Sequence, residues 1–496
     1  MKSSGIDVFF LQIGALEKQV KEVLREVLSL RNLLRPVNHL PPEVLASCAT
    51  FVSDADPRPI IPLTHVCRYW RESITSNPRN WASIAIQWER LAPLCYERAG
   101  AVPLAVDITV TDVERDEHFL NELLPHVPKI GSLRITGHSF VETVAYDLPG
   151  FFGPPMLRLT SLELQQTEEP AQLLPIDDAP VPPPFRNVSK LKSLSLTQTP
   201  LYPTLFTIRS LVELKLTGYT IPFQFGTLLG LLDSNPNLEL VVLDIKFVAG
   251  SVETTPARKV PLARLHHLSI TCSEAVDSKG LLSCIHLPHG AHIDVVSTRL
   301  APSAALHSFL PSPLTPILEL LTPITTIKTQ VTPRELHVSG NGSVFTLRSP
   351  GPARARLPEL TLFPTTAVRE LHTNIHPHKY SDPTLLLVLK GVPALETFAI
   401  SRTTFPVGLL SALTEEPVLC PSLKTIAFFD CVMDSDVTKR LGEAIAKRGG
   451  LAAVRLYRVV IVSSTGSLPD LASIQQLRRS VPCVEVRLDD KLPNLS

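Results

Sequence analysis

The sequence predicts an α/β chain: a long amphipathic helix, a small all-helical segment, and then an irregular solenoid (horseshoe) of short strands and helices. Three observations lead there. Seven apolar residues near the N-terminus recur at alternating steps of three and four. All three tryptophans, Trp70, Trp81 and Trp88, fall in or just after one short helical stretch. From about residue 104 an apolar kernel returns every few tens of residues. A chain of 496 residues is too long for one ordinary core, so it divides into domains or grows as a repeat array. With 44% hydrophobic and 19% charged residues, disorder is not the default.

The first element is a helix over residues 9–35. Ile13, Leu16, Val20, Val23, Val27, Leu30 and Leu34 form a heptad seam, with charged Glu17, Lys18, Lys21, Glu22, Arg25 and Glu26 between its members. Pro36 stops it, having no amide donor and disfavouring helix in the residue before it. Two readings of the seam stand. It is a coiled coil through which residues 9–35 self-associate, or one amphipathic helix packed back on its own chain, which the extra apolar Leu24, Leu28 and Leu33 favour.

The second element, residues 38–85, is helical. Pro41 or Pro42 fits a helix's first turn, and Glu43 puts negative charge at its positive end. Leu45, Cys48 and Phe51 follow at steps of three. A second helix is expected to present Leu63, Val66, Cys67, Trp70 and Ile74 as one stripe, ended by Asn77-Pro78. So few elements cannot bury much surface alone, and a partner or neighbouring domain should complete the core.

The run Leu40-Pro41-Pro42-Glu43-Val44-Leu45, the run Val66-Cys67-Arg68-Tyr69-Trp70-Arg71 and the close Pro78-Arg79-Asn80-Trp81, in this order, resemble the F-box. The layout, a heptad helix leading into Leu-Pro-Pro-Glu and Glu97-Arg98-Ala99-Gly100 after the box, resembles F-box proteins of mushroom-forming fungi. The resemblance implies that residues 38–85 bind the Skp adaptor of a cullin-based (SCF) ubiquitin ligase while the rest selects a protein target. By motif match, Leu40, Pro41, Glu43 and Leu45 would open the adaptor-binding surface, and Leu63, Val66, Cys67 and Trp70 would form the contact and core face of the second helix. A helical trio serving only its own domain is the plain alternative.

The third element spans about 104–490. Its kernel, apolar-x-x-apolar-x-apolar, appears as Ile130/Leu133/Ile135, Leu159/Leu162/Leu164, Leu191/Leu194/Leu196, Leu211/Leu214/Leu216, Leu240/Leu243/Ile245 and Leu265/Leu268/Ile270. Later copies are Leu357/Leu360/Leu362, Leu395/Phe398/Ile400, Leu423/Ile426/Phe428, Leu451/Val454/Leu456 and a degenerate Cys483/Val486/Leu488. The steps straddle the leucine-rich-repeat range, and the kernel matches that repeat's strand. Two residues apart, its last two apolar positions face one shared core that only stacked neighbours can close. Proline-rich stretches near 170–184 and 301–334 read as insertions looping from the array. Leu336/Val338 is the clearest kernel remnant between 272 and 356. An ordinary α/β domain with leucine-rich strands is the alternative.

Composition narrows function. Forty-seven basic against 47 acidic residues give no basic surplus, which argues against nucleic acid as partner. Proline, at 46 against 22 glycines, implies short elements with stiff connections. Eight scattered cysteines without a Cys-x-x-Cys pair read as small buried hydrophobes of a reducing compartment. No apolar run of about 18 residues predicts a membrane span, and no small-residue cleavage site follows Met1 to Leu11, so the expected location is the cytoplasm and/or nucleus.

No phosphate loop, nucleophile elbow or His-Glu-x-x-His occurs, and no enzyme activity or cofactor is expected. Cys272, Cys284, His286, His289 and His292, and separately His372, His376 and His378, are residue types that could ligate a metal. Pro288 and Gly290 interrupt any regular ligand-bearing element, so they read as loop histidines without a metal. Lys439, Arg440, Lys447 and Arg448, alternating with Glu443, read as a solvated helix face.

Overall fold

A computed structural model describes residues 4–53, 60–110, 113–137, 155–167, 188–199, 208–218, 222–223, 225–244, 246–247, 259–272, 275–298, 317, 320–330, 334–340, 342–349, 363, 365–374, 382–401, 407–414, 419–431, 433, 435–451, 456, 458–463, 469 and 471–488. Among them the chain is mixed α/β with mostly parallel strands, in two compact units, Met1–Ile208 and Arg209–Ser496. No described helix is long and apolar enough to cross a membrane.

The first unit opens with helix α1 (Ser4–Leu33), which ends three residues before Pro36. Helices α2 (Pro42–Ser53), α3 (Ile60–Thr64) and α4 (Arg68–Thr75) follow, then strand β1 (Ser83–Ala85), α5 (Ala92–Ala99), β2 (Leu104–Val110), α6 (Val113–Leu123), β3 (Ile130–Gly137), β4 (Ser161–Gln166) and β5 (Ser193–Thr197). The five strands pair in parallel in sequence order. Prolines sit where a missing donor costs nothing: Pro36, Pro78 and Pro93 occupy the first turns of their helices.

In the first unit each kernel works as expected and one position more. Leu133/Ile135, Leu162/Leu164 and Leu194/Leu196 are buried from alternate positions of β3, β4 and β5. The leading leucine closes a turn: Leu159 N–H donates to the Met156 carbonyl and Leu191 N–H to that of Val188, and both turn residues are themselves buried. Just before each strand a rung joins neighbouring coils, as in Thr160 N–H to Gly131 O at 2.7 Å and Lys192 N–H to Thr160 O at 2.8 Å.

The helical segment is not separate from this array. Its last residues form β1, where Ser83, Ile84 and Ala85 pair with Ala105, Val106 and Asp107. Trp81, 4% exposed, is covered by the Arg98 guanidinium 4.4 Å from its ring centre. The segment thus supplies the first strand of this unit's sheet.

The second unit begins with β6 (Glu213–Thr217), β7 (Pro222–Phe223), α7 (Phe225–Asp233), β8 (Leu240–Asp244), β9 (Lys246–Phe247), β10 (Val260–Pro261), β11 (His267–Cys272), α8 (Ala275–Cys284), β12 (Ile285–His286) and β13 (His292–Ser297). It continues with β14 (Ile324–Gln330), β15 (Arg334–Gly340), β16 (Ser343–Ser349), β17 (Glu370–Asn374), α9 (Asp382–Lys390), β18 (Thr397–Ser401), α10 (Val407–Thr414), β19 (Thr425–Phe429), α11 (Ser435–Leu451), β20 (Arg458–Ser463), α12 (Leu471–Ser480) and β21 (Cys483–Leu488). The sheet runs β6, β8, β11, β13, β16, β15, β14, β17, β18, β19, β20, β21. The short pairs β7 with β9 and β10 with β12 flank it. From β17 onward helix and strand alternate, and α9 to α12 pack side by side in order.

Four expectations need correction. First, the described end of the stretch read as an insertion, 324–330 and 334, does not loop out, and joins 335–340 and 343–349 in the sheet. They form three sheet strands in which β15 runs antiparallel to both neighbours, so two reversals restore the direction in which β16 meets β13 and β14 meets β17. Second, three kernels are displaced. The buried sets are Leu238/Val241/Leu243 and Leu456/Val459/Ile461, and Val481/Val484 at β21. The first and last are shifted by two residues along the same face, because the apolar alternation there outlasts one kernel, and only the Leu456 copy turns the other face of its stretch inward. Third, a copy was missed at Val368/Leu371/Thr373, because a buried threonine fills the third position. Fourth, Arg448 is not solvated. It is 0% exposed, donating to the carbonyls of Leu419 (3.1 Å) and Cys420 (2.6 Å), and burial holds its pKa below the usual arginine value. The kernel at Leu357/Leu360/Leu362 and the stretch 170–184 lie outside the described residues, as do 301–316.

Candidate functional site

Pro41 caps α2: its carbonyl accepts the N–H groups of Val44 and Leu45, and the missing donor of Pro42 falls where none is required. Leu45, Ala46 and Ala49 are buried, and the two alanines leave room for α2 to lie close to α4. Val44 (42% exposed), Cys48, Phe51 (85%) and Val52 (50%) line the opposite side, with Glu43 and Ser47 at its margin. The sequence placed Leu45, Cys48 and Phe51 on one face. At 3.6 residues per turn, six residues rotate the helix by about 600°, which leaves Phe51 about 120° away from Leu45.

The second expected helix is two. After α3, the Val66 N–H turns back to Leu63 O, and Cys67 is extended (φ −161°, ψ 175°) as the cap of α4. The Arg71 guanidinium covers the end of α3 by donating to Thr64 O at 3.0 Å. Val66 is therefore 53% exposed, while Leu63, Cys67 and Trp70 are half-buried. Trp70 has a structural tie: its indole N–H donates to Asn38 Oδ1 at 2.6 Å, and Asn38 in turn donates to Asn32 O at the end of α1. Tyr69 O–H donates to Leu40 O. Of the eight residues singled out by motif, Leu40, Pro41, Glu43 and Val66 are accessible and Leu45 is turned inward.

The sequence reading missed two things. Asn80 is wholly buried and links three elements, accepting from Thr50 Oγ1 at 2.6 Å and donating to Ile74 O at 3.0 Å. Val44, Phe51 and Val52 are large apolar groups left in water on one ridge, whose signal was their 3.6-residue spacing.

A second surface lies on the outward strand face of the Arg209–Ser496 unit. Register aligns Asp294, Thr346, His337, Lys328 and His372 across β13, β16, β15, β14 and β17. The Thr346 hydroxyl lies 3.3 Å from His337 Nδ1, and Arg348 Nη1 lies 3.4 Å from Asp294 Oδ2. Burial first, then Lys328 and further neighbours of like charge, lower the His337 pKa to about 4, and burial and Lys328 lower that of His372. The row is polar, with Thr346 buried and His337 and His372 half-buried. Among the described residues no group of three or more His, Cys, Asp or Glu converges as a metal site, and Cys272 and Cys284 are buried. No family model matches this chain, and no curated protein matches it.

Proposed function

We propose that the protein is an F-box substrate adaptor: the α2–α4 trio docks on the Skp adaptor of an SCF ubiquitin ligase, and the repeat region holds a protein target. The carrying observation is the exposed apolar ridge of Val44, Cys48, Phe51 and Val52, which begins at the Leu40-Pro41-Pro42-Glu43 motif. A soluble chain has reason to leave such a ridge uncovered where a partner buries it. The mostly parallel strands and the buried kernels support a leucine-rich-repeat-like target-binding region, with the polar row around His337 and Lys328 as its contact face. The contribution to ubiquitin transfer is positional, raising the effective concentration of target lysines near the transfer subunit, and no residue of this chain performs bond chemistry.

The test is a pull-down of the full chain on purified Skp adaptor beside a Leu40→Ala/Pro41→Ala double variant. The reading expects retention of the wild type and loss of the variant, with equal melting temperatures. If neither form is retained while both stay folded, the ligase reading falls and a repeat scaffold acting outside any ligase replaces it.

A further inference from the structure

Helix α1 carries an apolar seam that its own unit does not cover. Written in heptads, Ile13, Val20 and Val27 occupy one core position, a, while Phe9, Leu16, Val23 and Leu30 occupy the other, d. Ile13 is 37% exposed, and Leu16, Val20, Val23, Val27 and Leu30 lie between 55% and 64%. The helix turns another side to the trio. A groove between its last turns and the start of α4 is lined from α1 by Arg25, Glu26, Leu28, Ser29 and Asn32, and Leu30 is the one seam residue at its border. The seam therefore does not pack back on the described part of its own chain. It runs along most of a 30-residue helix, about 45 Å at 1.5 Å per residue.

We propose that α1 pairs with α1 of a second copy of this chain as a parallel, two-stranded coiled coil. β-Branched residues fill a at Ile13, Val20 and Val27, and leucine fills two of the four d positions, Leu16 and Leu30, beside Phe9 and Val23; β-branched a with leucine d favours two parallel strands. The flanking charges agree. In a parallel pair Glu26, at g, faces Arg31 of the other helix, at the next e, and the contact occurs twice by symmetry. An antiparallel pair sets g against g, where Gln12, Gln19 and Glu26 offer no opposite charge, and e against e, where Glu17 can meet Arg31, so the parallel order rests on the residues at a and d. A parallel pair brings both α1 C-terminal ends together, so the two trios begin side by side and the assembly presents every docking surface twice. This inference does not rest on the ligase reading, because nothing in the seam depends on what the trio binds.

Light scattering on the full chain tests it. The expected mass is twice 54.4 kDa at tens of micromolar. A Val20→Glu/Val23→Glu/Val27→Glu variant should fall to the single-chain mass with its main thermal transition unmoved, because these side chains are exposed. A Lys18→Ala/Glu22→Ala control on the other side of the helix should stay doubled. Under mild oxidation Ile13→Cys should give a disulfide-linked dimer that the wild type does not. A single-chain mass for the wild type, a mass of three or more chains, or a doubled mass that survives the glutamate variant overturns the proposal. A doubled mass in which Ile13→Cys does not cross-link overturns the parallel arrangement.

Discussion

At the scale of single residues, the polar groups that organise this protein do their work across long stretches of sequence. Asn80 joins helices through Thr50 and Ile74, and Arg448 seals carbonyls about 28 residues earlier in the chain. His337 has the clearest solution consequence. Burial and nearby cations hold its folded pKa at about 4, below its ordinary 6.5, so between those values the unfolded chain binds the proton that the folded chain refuses. The associated stability is fully present above about pH 6.5 and is lost as pH falls towards 4. His337→Gln should flatten this part of the stability–pH curve, by on the order of 1 kcal/mol after allowing for the ring's partial exposure. Melting temperatures of both proteins at pH 5 and pH 7.5 check this, and an unchanged difference between the two pH values contradicts it. Little of this was legible in the sequence. Asn80 sat inside a recognised Pro-x-x-Trp motif with no sign of its partners, and Arg448 looked like its exposed neighbours Lys439 and Arg440, because only tertiary contact distinguishes them.

At the scale of elements, the sequence was readable where one period acts alone. The end of α1 before Pro36, and the kernels at Leu133, Leu162, Leu194, Leu268, Phe398 and Ile426, lie where alternation and spacing place them. Reading failed where apolar alternation outlasts one kernel, as around Val241, and where both strand faces are apolar, as around Val459. It failed again where a short turn divided an apolar stripe, as at Cys67. The β15–β16 hairpin was legible by a signal passed over. Gly340 pairs with Ser343, and the two residues between them are Asn341-Gly342, the dipeptide best suited to a tight hairpin. Gly342 has φ +74°, a conformation side chains resist. Gly342→Val should cost about 1–2 kcal/mol, read by chemical denaturation. A loss near zero would mean that the turn is not held in this conformation.

At the scale of the whole molecule, the kernel spacing pointed to many short strands with apolar faces, and the structure shows them in mostly parallel sheet order and where that order is interrupted. The helical segment supplies the array's first strand, β1, and three strands with two reversals sit within the parallel sheet of the second unit. The proposed function rests on the other side of that segment, the α2 ridge. Its most exposed member, Phe51, touches little of its own chain, so it can be changed without disturbing the fold. The central claim is that this ridge is buried by the Skp adaptor. The decisive measurement is a calorimetric titration of purified Skp adaptor into the full chain and into Phe51→Asp. The account predicts saturable binding to the wild type, weakened at least about tenfold in the variant, or about 1.4 kcal/mol, at an unchanged melting temperature. No binding to a folded wild type, or equal binding to both proteins, would contradict it.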